Sequence, residues 1–217
     1  MNDVPQTPPP PPSPSQAGPP PSGDLHPEVA SYPVQADIQW QPEYHRWLPL
    51  VKWLLAIPHY IVLAFLGIGA SIAIFIAFFA VLFTGTYPRG LFDFVLGVFR
   101  WSFRVGAYVS LMTDQYPPFS LEDDPDYPAR LDIAYPEHVD NWRPLVHWLL
   151  AIPYLLVAHV LASLAGLLIF FAFFTILFTT RFPEEMFKIV RVALRWQARG
   201  NAYAVFMTTK YPPFVWS

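Results

Sequence analysis

The chain of 217 residues is 54% hydrophobic and only 13% charged, which lies outside the usual range for a soluble domain. It contains no cysteine, so disulfides, thiolate metal sites and cysteine nucleophiles are excluded. Its net charge of −3 says little as a total because the charges are segregated along the chain. This composition favours a membrane protein, and we expect no nucleic acid partner.

The first segment, residues 1–31, is rich in Pro, Ser and Gly, includes a run of prolines from Pro8 to Pro12, and has no Lys or Arg. Such a composition predicts a disordered, partly polyproline-II tail. The segment has neither the basic nor the apolar region of a cleaved signal peptide, so we expect it to stay in the cytoplasm. A flexible spacer is the favoured interpretation, and a ligand for a proline-binding protein partner is the alternative.

The rest of the chain repeats itself with a constant shift of 95 residues, and roughly 38 of 88 aligned positions are identical. This self-similarity predicts a tandem duplication, with repeat 1 at 32–120, an acidic linker at 121–126 and repeat 2 at 127–217. The matched segments include Tyr32-Pro33 with Tyr127-Pro128, Trp53–Pro58 with Trp148–Pro153, and Tyr116–Phe119 with Tyr211–Phe214.

Three segments of the repeat resemble an uncharacterised bacterial membrane-protein family, common in actinobacteria and known as a domain of unknown function. They are Leu54–Tyr60 (LLAIPHY), Leu82–Asp93 (LFTGTYPRGLFD) and the Tyr-Pro-Pro-Phe motif. The resemblance covers everything after the tail. It implies an integral membrane protein and supplies no activity, substrate or catalytic residue.

Each repeat contains one long uncharged segment, from Trp53 to Pro88 and from Pro144 to Thr180. Either segment exceeds the ~20 residues that cross a bilayer. We therefore predict that each folds as a hydrophobic helical hairpin, giving four transmembrane segments in a mainly α integral membrane protein. A single long crossing is the alternative, and shallow wedge-like hairpins are a third form. The hairpin is favoured because it puts every Lys and Arg on one, cytoplasmic, side.

A basic amphipathic helix is predicted after each hairpin, beginning at Pro88 and Pro183. Its cations recur every three or four residues in repeat 2, and repeat 1 carries a weaker version. A helix lying in the membrane interface, with these residues on anionic headgroups, is favoured over an intramembrane arginine cluster because buried cations are costly. The predicted lipid contacts are Arg100, Arg104, Lys188, Arg191, Arg195 and Arg199.

Ahead of each hairpin, apolar and polar residues alternate from Val34 to Trp40 and from Leu131 to Tyr135, which predicts one short strand per repeat. Pairing of the two strands across the pseudo-symmetry would tie the halves together. Pro58 and Pro153 are predicted to bend the helices that contain them.

No phosphate loop, metal-ligand cluster or nucleophile–base arrangement is recognisable, so we expect neither an enzyme nor a bound cofactor. His59 and His159 are either proton-relay residues or, as favoured, neutral hydrogen-bonded histidines. We expect a multi-pass protein of the plasma membrane with a membrane-organising, accessory or scaffold role. The alternative is a small transporter or channel subunit built from the duplicated repeat.

Overall fold

A computed structural model describes residues 32–216, so the predicted tail at 1–31 lies outside the described residues. The described part is mainly helical, with the same order of elements in each half. The strands are β1 (Val34–Ile38) and β2 (Ala129–Ile133), and the helices are α1 (Leu48–Leu55), α2 (Ile57–Thr84), α3 (Arg89–Val109), α4 (Arg143–Thr179) and α5 (Glu184–Ala204).

The predicted hydrophobic hairpins are wrong, because each apolar segment is one long helical rod. Helix α4 runs unbroken for 37 residues, and α1 and α2 are separated by Ala56 alone. The small residues at the centre of each segment, Gly67–Ser71 and Ala162–Gly166, where a hairpin would turn, stay helical. The hydroxyl groups of Ser71 and Ser163 donate to the carbonyl oxygens of Gly67 and His159 one turn earlier. Among residues 32–216, two helices and not four are therefore long and apolar enough to cross a bilayer.

The chain reverses direction one element later than predicted, between the long helix and the amphipathic helix of each repeat. Each long helix is followed by a residue with a left-handed backbone conformation, Gly85 at φ 67° and Thr180 at φ 60°. Pro88 and Pro183 then precede α3 and α5. A left-handed residue followed by proline stops a helix and turns the chain.

The two prolines predicted to bend the long helices lie in different local structures. Pro58 follows the interruption at Ala56, whose amide still donates to the carbonyl oxygen of Lys52 at 2.9 Å. Pro153 lies inside the continuous helix α4. The same proline therefore accompanies a break in one copy and none in the other.

The two predicted strands and their pairing are confirmed, although β1 ends at Ile38 and not at Trp40, and β2 begins two residues earlier than predicted and ends at Ile133. Strands β1 and β2 form an antiparallel two-stranded sheet in which Ala36 pairs with Leu131. Alternate residues of each strand are buried, as the alternating pattern requires. Ala36 and Leu131 are themselves equivalent positions of the two repeats. The pseudo-twofold axis that relates the repeats therefore passes through the centre of the sheet.

The two repeats exchange their strands. Strand β1 of repeat 1 packs against α5 of repeat 2, and β2 of repeat 2 packs against α3 of repeat 1. On its other side, α5 packs along α4, where Tyr154 stacks on Trp196 with ring centroids 5.4 Å apart. Each amphipathic helix thus lies between its own long helix and the strand of the other copy.

The long helices run in opposite directions, with the start of each beside the end of the other. The amide of Tyr44, just before α1, donates to the carbonyl oxygen of Thr180 at 2.9 Å. At the other end the amide of Val139, just before α4, donates to Gly85, also at 2.9 Å. The pseudo-twofold axis is therefore perpendicular to the long helices.

Candidate functional site

The two long helices expose a continuous apolar face. Phe65, Phe83 and Phe178 are each more than 70% exposed, and many other large apolar residues on the same helices are exposed too. In the most apolar 18-residue stretch of each rod, only 17% and 22% of the residues, respectively, are buried in the protein. These helices therefore differ from the core helix of a soluble protein, which would be mostly buried.

Exposed tryptophans flank this face at the beginning of each rod. Trp47 and Trp53 belong to repeat 1, and Trp142 and Trp148 are their equivalents in repeat 2. Indole rings favour the boundary between headgroups and hydrocarbon. The basic residue near the start of the first rod does not disturb the face, because Lys52 is buried and its Nζ lies 2.8 Å from both the Thr113 carbonyl oxygen and Asp114 Oδ1.

The two arginines at equivalent positions 100 and 195 hold the exchanged strands. Arg195 Nε donates to the carbonyl oxygen of Ala36 at 2.8 Å, and its Nη2 lies 2.9 Å from Asp37 Oδ1. Arg100 makes the same two contacts with Leu131 and Asp132, at 3.2 and 2.6 Å. Burial lowers the pKa of Arg195, and Asp37 counteracts that effect. Arg195 therefore binds protein, not headgroups.

Arg104 and Arg199 form a second equivalent pair, and both are buried. Arg104 donates through Nη1 to the carbonyl oxygen of Glu122 at 3.0 Å and through Nη2 to that of Ser120, which attaches the acidic linker to α3. Arg199 lies over the ring of Tyr32 at 5.4 Å, and its Nε and Nη1 have no hydrogen-bond partner among the described residues. Desolvation, with the nearby charge of Arg195, lowers its pKa to about 10.

The predicted lipid contact of Arg104, Arg195 and Arg199 is corrected by these positions. Their side chains are covered by the linker, the other repeat's strand and aromatic rings, so they do not reach headgroups. Helical spacing predicts that the basic residues share one face of the helix, but it does not show what covers that face.

The remaining predicted contacts are more exposed and already have carboxylate partners. Arg100 is paired as described above, and Arg191 Nη1 lies 3.7 Å from Asp37. Lys188 Nζ is 3.3 Å from Glu184 and 3.0 Å from Glu185 on the first turn of α5. Lys188 is thus solvent-accessible for a headgroup but partly neutralised by its neighbours.

The two histidines singled out in the sequence are not alike. His59 is buried, where its Nδ1 accepts from Trp101 Nε1 at 3.0 Å and its ring stacks on Phe119 at 4.0 Å. His159 is exposed on the apolar face of α4. A third histidine that sequence reasoning did not single out, His147, is buried, with Nδ1 3.1 Å from the Tyr203 carbonyl oxygen. It occupies the position equivalent to Lys52, which the shift of 95 residues reveals.

A cleft of about 350 Å³ lies on the pseudo-twofold axis between α3 and α5. Its walls come in equivalent pairs, and Leu131 of the sheet also contributes. Ser102, Gln197 and Asn201 supply its polar side chains in a largely apolar lining. Sequence reasoning missed this cleft because its two walls lie 95 residues apart.

A family model described as Domain of unknown function (DUF4389) matches the chain twice, over residues 47–120 and 141–215. The chain belongs to this family. The predicted membership of an uncharacterised family with two tandem repeats is thereby confirmed. No curated protein and no solved structure matches the chain significantly.

Each DUF4389 segment contains a long apolar helix, an amphipathic helix and the Tyr-Pro-Pro-Phe motif. Strands β1 and β2 lie outside both matched segments. The strand-binding arginines therefore lie within the family repeat, whereas the carbonyl groups that they bind lie outside it.

Proposed function

We propose that the chain is a membrane-anchored protein of the cell membrane that organises lipid or supports partner proteins and is not an enzyme. The exposed apolar face of the two rods carries this proposal, because such a face is unstable in water and matches hydrocarbon. Exposed Arg46, Arg89 and Arg181 lie near the ends of the rods, where anionic headgroups would meet them.

Liposome flotation with a matched pair of double variants tests the anchor. Phe65→Glu with Val160→Glu adds two charges to equivalent exposed positions of the apolar face. Gln39→Glu with Ala134→Glu adds the same charge at equivalent exposed positions beside the sheet. The wild type and the second variant should float with liposomes, and the first should lose most of its binding, because charged groups are costly in hydrocarbon.

Wild-type protein that stays in the aqueous fraction as a monodisperse species without detergent would contradict the proposal. Equal loss of flotation in both double variants would show that added charge, and not the apolar face, controls binding.

The organising role is tested by the shape of vesicles. Adding area to one leaflet favours curvature, so raising the protein-to-lipid ratio should shift the wild-type vesicles toward smaller diameters in electron cryomicroscopy. The variant with Phe65→Glu and Val160→Glu should leave the diameters unchanged. Diameters that do not respond to wild-type protein would leave a scaffold for partner proteins as the supported role.

A transporter or channel subunit is the second candidate, and the axial cleft favours it. Transporters built from repeats bind their substrates at the interface between repeats, which is where Ser102, Gln197 and Asn201 lie. Small-solute flux across proteoliposome membranes that exceeds flux across protein-free ones, and that is reduced by Asn201→Leu, would favour this candidate over the organising role.

A further inference from the structure

The direction of the rods relative to the bilayer follows from the pseudo-symmetry, and this inference rests on the proposed membrane anchor. The axis that passes through the Ala36 and Leu131 pair is perpendicular to the antiparallel rods. The midpoints of the two rods are equivalent positions, so they lie on opposite sides of this axis. If both rods crossed a bilayer, the axis would lie in its midplane, and so would the centre of the sheet.

The sheet is unsuited to that depth. The side chains of Asp37, Arg130 and Asp132 are 62%, 50% and 65% exposed on its outer surface. Ionised groups that face lipid at the bilayer centre are among the most unfavourable arrangements in a membrane. Strand edges that face lipid are equally disfavoured, because no water is present to satisfy their backbone groups.

The ends of the rods give no preference for a crossing either. Arg46 and Arg181 lie at one end of the antiparallel pair, and Arg89 and Arg143 lie at the other. Both ends are therefore basic, and the tendency of cytoplasmic loops to be positive selects neither orientation. Each rod of 37 residues is also about 55 Å long, compared with ~30 Å of hydrocarbon.

We propose that both rods lie in the plane of a single leaflet, with their apolar faces in the acyl chains and the sheet in the adjacent water. The chain is then a monotopic protein whose partner is the surface layer of one bilayer leaflet. A helix in this position buries its apolar face ~5–10 Å into the boundary between headgroups and acyl chains, and its length is not limited by bilayer thickness. The tryptophans that flank the rods then lie at the level of the headgroups.

Single-cysteine mapping of the full chain tests this arrangement, since the natural sequence has no cysteine. Glu43→Cys and Glu137→Cys mark the two ends of the rods, Arg130→Cys marks the sheet, and Phe65→Cys and Val160→Cys mark the apolar face. All five positions are exposed in the fold. Each variant is labelled with a membrane-impermeant maleimide in right-side-out and in inside-out membrane vesicles, and again after detergent is added.

The monotopic arrangement predicts that positions 43, 137 and 130 are labelled in the same type of vesicle and not in the other. Positions 65 and 160 should be labelled only after detergent is added. Labelling of 43 and 137 in opposite types of vesicle, or of either position in both types, would overturn the proposal in favour of spanning rods.

Failure of the membrane anchor itself gives a different result. Positions 65 and 160 would then be labelled without detergent, in protein recovered from the aqueous fraction. If a second copy of the chain covers the apolar face instead of lipid, positions 65 and 160 would be protected in that aqueous fraction, and light scattering would give the mass of a dimer. Either result would overturn both the leaflet arrangement and the anchor.

Discussion

Arg195 provides the most direct test of whether the basic residues on one face of α5 bind protein or lipid. Its side chain is 6% exposed and links α5 to the carbonyl oxygen of Ala36 and to Asp37 of the other repeat. We consider the substitution Arg195→Gln, which removes the charge and shortens the side chain. The carbonyl of Ala36 then remains buried without its donor.

The expected loss of stability is about 2–3 kcal/mol. A hydrogen bond to a charged group contributes about 1.5–3 kcal/mol, and the ion pair adds up to about 1 kcal/mol. Asp37 is 62% exposed and becomes hydrated when Arg195 is removed, so the larger cost of stranding a buried charge does not arise. Arg100→Gln should cost less, about 1–2 kcal/mol, because Arg100 is 20% exposed and its carbonyl contact is longer, at 3.2 Å.

Denaturant unfolding of the purified full chain in mild detergent, followed by tryptophan fluorescence, measures both losses. A double-mutant cycle of Arg195→Gln with Asp37→Asn should give a coupling energy of about 1 kcal/mol. Flotation with neutral and anionic liposomes is the second readout. Unchanged stability of Arg195→Gln together with weaker binding to anionic liposomes would refute this reasoning and restore a lipid contact.

The other buried arginines, the close helix packing and the exposed lysine each give a prediction. Arg199→Met should raise the unfolding midpoint, because desolvation, together with the nearby charge of Arg195, lowers the pKa of this buried guanidinium to about 10 and so disfavours its charged form in the fold. Arg104→Met should lower the free energy of unfolding by about 2 kcal/mol, since two carbonyl groups lose their donor. Gly200→Ala should lower the unfolding free energy by about 1–3 kcal/mol, because a Cβ there would lie 3.0 Å from the ring of Tyr154, which is buried and stacked on Trp196 and so has no room to shift. Its control Gly106→Ala meets no atom within 4 Å and should gain about 0.5–1 kcal/mol of helix propensity. Lys188→Gln should leave the unfolding midpoint unchanged, because its ion pairs with Glu184 and Glu185 are exposed to solvent.

The duplication and the strands were predictable because each rests on a local pattern. A shift of 95 residues aligns the repeats, and alternation of apolar and polar residues marks Val34–Ile38 as a strand. The pairing of the strands followed from the symmetry, because equivalent strands lie on either side of one axis.

The hairpins were not predictable, because small residues permit a turn without requiring one. Gly67 and Gly166 lie in open surroundings within regular helix. In an apolar environment a helix satisfies its own backbone hydrogen bonds, and opening it at the centre would leave several unsatisfied. The charge argument for the hairpin required every Lys and Arg to lie on one side, whereas the rods place Arg46 and Arg89 at opposite ends.

The burial of the arginines depends on contacts that no local pattern records. Arg195 binds Ala36, which lies 159 residues earlier in the chain. Helical periodicity shows that Lys188, Arg191, Arg195 and Arg199 share one face. Strand β1 of the other repeat covers Arg195, and Tyr32, just before that strand, covers Arg199. An interfacial helix and a strand-binding helix therefore have the same sequence pattern.

These exchanged contacts explain why two copies occur in one chain. A single repeat would leave the strand-binding arginine without its carbonyl acceptor and the left-handed end of its long helix without the amide that now bonds to Gly85. Both partners come from the other repeat, so neither repeat completes its own hydrogen bonds. The arrangement is that of a twofold-symmetric dimer whose subunits are joined by the linker at 121–126. Tethering raises the effective concentration of the second copy, and each half can carry its own residue at an equivalent position, such as Lys52 in repeat 1 and His147 in repeat 2.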